Sequence, residues 1–86
     1  MPTPEIIFTK QFSKTYAKLP QEIKSLFEKQ LGLFLENPRH PSLHVKKMKG
    51  LRPEVWEGRI SKKYRFVFEK IDKRYYFLRI GPHDIL

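Results

Sequence analysis

Residues 54–80, "EVWEGRISKKYRFVFEKIDKRYYFLRI", decide the fold. The stretch divides into three β-rich runs, EVWEGRIS, YRFVFEKI and RYYFLRI, separated only by Lys-Lys and Asp-Lys pairs. Branched and aromatic side chains suit a pleated, half-buried surface, and two-residue breaks suit hairpin turns. The pattern predicts an antiparallel meander. Successive side chains of a strand point to opposite faces, so Trp56, Gly58 and Ile60 share one face while Val55, Glu57 and Arg59 share the other. In the second run Tyr64, Phe66 and Phe68 stand opposite Arg65, Val67 and Glu69. One face is aromatic and the other carries charge.

Upstream of the meander the period changes. "EIIFT" (5–9) reads as a short strand with Ile6 and Phe8 on one side, and Thr9 is a natural cap for a helix over roughly 10–18. Phe12 and Tyr16, four apart, then lie on one side of that helix. A second helix restarts at Pro20, whose missing N–H is harmless in a first turn. Ile23, Leu26, Phe27, Leu31, Phe34 and Leu35 form its apolar stripe, and Asn37-Pro38 ends it. The break between the helices is short enough for an antiparallel hairpin. Residues 38–53, "PRHPSLHVKKMKGLRP", hold three prolines and a run of bases, and read as a long loop.

The order β-α-α-β-β-β predicts an α+β fold: one domain over residues 1–86, with a helical hairpin on one face of a twisted, mainly antiparallel sheet. The other face is left partly open. Absence of cysteine excludes disulfides and thiolate metal sites and suits a reducing cytoplasm. The start carries no signal-peptide pattern, and no run approaches the ~18 apolar residues of a spanning helix, so no membrane partner is expected.

Charge is the most telling property. Eighteen Lys and Arg against nine acids leave +9, and residues 39–86 hold thirteen of the bases and five of the acids, a balance of +8. A polyanionic partner follows, either nucleic acid or an acidic protein segment. No Gly-rich phosphate loop is present, His40, His44 and His83 lack metal-ligand spacing, and the serines and threonines carry no nucleophile motif. What remains is a set of cations expected around the open face: Lys46, Lys47 and Lys49 on the loop, Arg59 and Arg65 on the meander, and Arg79 near its end. The closing "RIGPHDIL" adds an imidazole. Gly81-Pro82 is expected to stop the last strand and present His83, next to Asp84, from a turn.

"MKG", followed by "VWEGRISKKYRFVFEKID" and the terminal "RIGPHDIL", resembles the RelE/ParE toxin superfamily of toxin–antitoxin systems. The run Trp56–Arg59–Arg65 is similar to its YoeB branch, and the Gly-X-His ending to its YafQ branch. The resemblance implies the β-α-α-β-β-β fold of these microbial ribonucleases and, in the RelE-like branch, a ribosome-dependent endonuclease of messenger RNA that needs no metal or other cofactor. Such enzymes use a ribose 2′-OH to attack the adjacent phosphate, leaving a cyclic phosphate and a 5′-OH. By that resemblance Arg59 clamps the scissile phosphate, Lys46 and Lys49 stand where the family carries basic or histidine side chains, and His83 is the general acid. Lys46, Lys47, Lys49, Arg65 and Arg79 would hold RNA, and the partners would be the ribosome, messenger RNA and a cognate acidic antitoxin. Some relatives take a glutamate before the second strand as base; this loop has lysines there, and Glu54 and Glu57 lie nearby without matching the position. Others carry a tyrosine beyond the last strand, where this sequence reads to Leu86. A ParE-like inhibitor of DNA gyrase, or an inactive basic RNA-binding member, shares the same fold and stays open as an alternative.

Overall fold

Thr9 joins the first strand to the first helix. In the computed structural model, which describes residues 4–48 and 54–83, its hydroxyl accepts from the Phe12 N–H and donates to the Phe77 carbonyl at 2.8 Å. One side chain therefore caps helix α1 (Lys10–Ala17) and ties the end of strand β1 (Glu5–Phe8) to the last strand. Helix α2 (Gln21–Glu36) starts after Pro20, whose carbonyl accepts from Ile23 and Lys24, and it stops at Asn37 in extended geometry. Both helix ends fall where capping and proline chemistry require. No helix among the described residues is long and apolar enough to cross a membrane.

The expected meander is present as β3 (Val55–Arg59), β4 (Tyr64–Ile71) and β5 (Arg74–Pro82). The long loop, however, is not all loop. It contains a 3-10 turn, Pro41–Leu43, and a two-residue strand β2 (Lys46–Lys47) antiparallel to β3. The sheet therefore has five strands in the order β1-β5-β4-β3-β2, with β1 parallel to β5 and the other pairs antiparallel. A basic dipeptide gives no strand signal of its own. β2 exists because the exposed edge of β3 offers backbone partners.

Gly81-Pro82 also corrects an expectation, because these residues continue β5 instead of ending it: Gly81 pairs with Arg65 and Pro82 with Tyr64. The His83 N–H donates to the Lys63 carbonyl, so the N of Pro82 points away from β4. On that side β1 covers only Arg74 to Phe77, and a proline without an N–H leaves no donor unpaired.

Aromatic rings form the core. Phe77 stacks on Phe66 with centroids 5.3 Å apart and meets Phe34, Phe12 and Phe27 from the helices edge-on at 5.3–6.1 Å. Phe34 in turn stands edge-on to Phe68 and Tyr75. The helices thus cover the face of Trp56, Gly58, Phe66 and Phe68, as the alternation predicts. Gly58 is required there. A Cβ at this position would lie 2.3–2.8 Å from ring atoms of Phe66, its cross-strand partner, whose ring occupies the missing side chain's place.

Replacing Gly58 with Ala is expected to cost ~1–3 kcal/mol, the usual scale of overpacking a dense core. Urea unfolding measures it. Gly58→Ala combined with Phe66→Leu should lose less than the sum of the single changes, because the smaller side chain vacates the contested space.

Candidate functional site

On the face away from the helices, strand register lines up the charged side chains. Lys46, Glu57, Val67 and Arg79 form one cross-strand row, and Arg59, Arg65 and Gly81 the next. Arg79 reaches this face through an irregularity. Between Val67 and Phe68 the partner on β5 jumps from Arg79 to Phe77, so Leu78 is an extra, bulged residue. Strict alternation from Tyr75 and Phe77 would turn Arg79 into the aromatic core. The bulge turns it outward and lets Ile80 take the core side.

Glu57 is the centre of the site. Its Oε1 lies 3.4 Å from the Arg65 Nε and 3.4 Å from the His83 Nδ1. The carboxylate side chain is only 10% exposed, yet this enclosed oxygen makes no hydrogen bond among the described residues. A buried carboxylate in that condition is held by its cations, and closer approach by either would be favourable. The His83 side chain is 53% exposed. Its contact with Glu57 becomes a full ion pair only when the imidazole is protonated.

Arg65 is occupied internally. Its Nη1 donates to the carbonyls of Ser61, Lys62 and Tyr64, the Lys62 and Tyr64 bonds measuring 2.9 and 3.1 Å, while its Nε faces Glu57. This guanidinium closes the β3–β4 turn and braces the carboxylate, so in this structure it acts as a brace. Arg59, directly across from it in register, is half-buried on the same face. Two arginines in register repel each other, a cost that the Glu57 carboxylate beside Arg65 offsets.

Gln30 fixes the backbone of Arg59. Its buried amide on α2 donates from Nε2 to the Arg59 carbonyl at 2.8 Å and to the Ser42 carbonyl at 3.1 Å. The helix thereby sets the end of β3 and the start of the basic loop together. Sequence reasoning passed over Gln30 because it is polar, although it lies one turn from both Phe27 and Phe34 and so falls on the buried stripe. Glu57 had a signal too, since it stands two residues before Arg59 on the same face.

The lysines divide. Lys46 shares the open face with Glu57, whereas Lys47 pairs with Trp56 and faces the helix side, because successive residues of a strand alternate. Lys47 is therefore not beside Arg59 and His83, as expected of the whole lysine run. Lys49 and Asp84 lie outside the described residues. No cluster of three or more His, Asp or Glu among the described residues is arranged to hold a metal ion.

Replacing Gln30 with Leu removes the buried amide that satisfies two part-buried carbonyls. Stability should fall by ~1–3 kcal/mol in urea unfolding, more than an isosteric apolar change alone would cause.

No family model matches the chain, and no curated protein matches it at a significant level. Solved structures do. The toxin–antitoxin complex DinJ-YafQ from E. coli aligns at TM-score 0.78 with 20% identity, covering 99% of this chain and 98% of that one. The archaeal RelE-RelB complex from Pyrococcus horikoshii aligns at TM-score 0.77 with 20% identity, covering 99% and 100%. A YoeB/ParE toxin from Agrobacterium tumefaciens aligns at TM-score 0.74 with 15% identity, covering 92% and 98%. With two helices on a five-stranded mixed sheet, matched from end to end, this chain has the fold of the RelE, YafQ and YoeB/ParE toxins.

Proposed function

We propose that the protein is the toxin of a toxin–antitoxin pair and acts as a metal-independent endonuclease on messenger RNA at the ribosome. The observation that carries this reading is the Glu57–His83 contact at 3.4 Å beside the paired arginines 59 and 65, on a face rich in cations. Cutting RNA through its own 2′-OH needs charge stabilisation at phosphorus and a proton for the leaving 5′ oxygen. Arg59 supplies the first, its planar fork matching two phosphate oxygens. His83 supplies the second. With Nδ1 turned to Glu57, the opposite nitrogen carries the donated proton, and Glu57 holds the ring in that orientation. The 2′ oxygen attacks phosphorus, the bond to the 5′ oxygen breaks, and the 2′ proton leaves to water. A 2′,3′-cyclic phosphate and a 5′-OH result. Lys46 and Arg79 flank the site on the same row and attract the phosphodiester chain without entering the chemistry.

An acidic antitoxin fits the same surface. Two neighbours aligned over 99% of this chain are toxin–antitoxin complexes, and a +9 chain with Lys46, Arg59 and Arg79 on one sheet face is complementary to an acidic segment. Bound there, it would mask Arg59 and His83.

Primer-extension mapping of messenger RNA after expression tests the reading. Wild-type protein should cut messengers, and His83→Gln should slow cutting by ~10²–10⁴-fold while ribosome affinity is kept. Arg59→Ala should remove ~3–4 kcal/mol of transition-state stabilisation, and Arg59→Lys should restore only part, since a point charge lacks the fork. If Glu57 works through His83, Glu57→Gln should add little to the loss already caused by His83→Gln. Growth arrest through DNA gyrase, with messengers intact, would overturn the nuclease reading in favour of a ParE-like inhibitor.

A further inference from the structure

We infer that the chain carries a second RNA subsite on the opposite side of strand β2, a nucleobase-sized pocket built around Trp56. The proposal rests on the RNA reading above for its ligand, and on separate residues for its geometry. Arg39, His40, Pro41, His44, Val45 and Trp56 line a concavity of about 300 Å³ where the 3-10 turn meets the edge of the sheet. That size is at the small end of ligand pockets, ~300–1,000 Å³.

Its chemistry is that of a nucleotide site. The Arg39 guanidinium lies 5.6 Å and the Lys47 Nζ 5.9 Å from the Trp56 ring centroid. The guanidinium lies over the indole, and this stacked pair borders the cavity with a flat cationic surface for a base and a positive charge for its phosphate. The Trp56 N–H is directed to the Glu54 carboxylate at 3.5 Å, which orients the ring. His40 accepts the Ser42 N–H at Nδ1, so in its neutral form the proton is on the other nitrogen, a donor for base or phosphate. His44 sits at φ 47°, a left-handed conformation uncommon outside glycine, and its N–H is held by the Pro41 carbonyl. A bulky imidazole persists there despite the strain.

The pocket is placed to extend the cleavage face. Lys46 pairs with Glu57 and Lys47 with Trp56, so neighbouring residues of one edge strand face the two sites. β2 ends the sheet, and a single strand of RNA can fold over that edge with one lysine on each side. An acidic peptide would satisfy the cations but would leave the stacking surfaces unused, which favours RNA.

Trp56 is the chain's only tryptophan, so its emission reports on the pocket directly. A 2′-O-methyl adenosine hexamer, which cannot be cut through a 2′-OH, serves as probe. It should change Trp56 emission saturably and bind less well as salt rises. Arg39→Gln, an exposed change, should weaken binding about tenfold, the scale of losing one stacked base. His44→Gly should also weaken it while keeping or raising stability, because glycine suits the left-handed backbone. An unchanged Trp56 emission, or binding indifferent to both Arg39→Gln and His44→Gly, would overturn the pocket. A glutamate-rich peptide that perturbs Trp56 as strongly as the hexamer would also overturn it, making this a protein-docking site. Messenger cleavage without a Trp56 response removes the pocket alone, whereas a Trp56 response without cleavage keeps the pocket and removes the nuclease.

Discussion

The ring of Phe77 is the constraint on which the rest depends. It is fully enclosed, stacked on Phe66 and capped edge-on by Phe12, Phe27 and Phe34, so it joins the sheet to both helices. Its carbonyl also receives the Thr9 hydroxyl and N–H, which fastens the parallel pair β1–β5. A chain of 86 residues buries limited surface, and large rings supply much area from few positions. Concentrating them on one face has a consequence for chemistry. The opposite face is released from core packing and can hold charge.

On that opposite face the charged side chains brace one another. Glu57 is enclosed beside Arg65 and His83, and among the described residues its Oε1 makes no hydrogen bond, so the two cations hold it in place. Arg65 takes up the structural part by binding three turn carbonyls. His83, just after β5, keeps Nδ1 toward the carboxylate on a side chain that is half exposed. Gln30 ties the Arg59 end of β3 to helix α2, so this arginine stands on backbone fixed by the helix, although the basic loop that follows α2 is irregular.

What the sequence by itself determined was everything governed by local period. The alternation of 54–80 placed Trp56, Gly58 and Phe66 on the core side and Glu57 and Arg59 on the other, and the spacing from Ile23 to Leu35 defined α2. Thr9 and Asn37-Pro38 marked helix ends through chemistry that acts within a few residues. These features are legible because each depends on neighbours close in the chain. The tertiary structure alone decided the rest. The bulge at Leu78, which sends Arg79 outward and Ile80 inward, arises from pairing with β4. The strand at Lys46–Lys47, which divides those lysines between two faces, exists because β3 has a free edge. Pro82 remains in a strand because β1 stops at the partner of Phe77. The meetings of Gln30 with Arg59 and Glu57 with His83 span 29 and 26 positions, distances over which only folding, and no local propensity, can bring polar groups together.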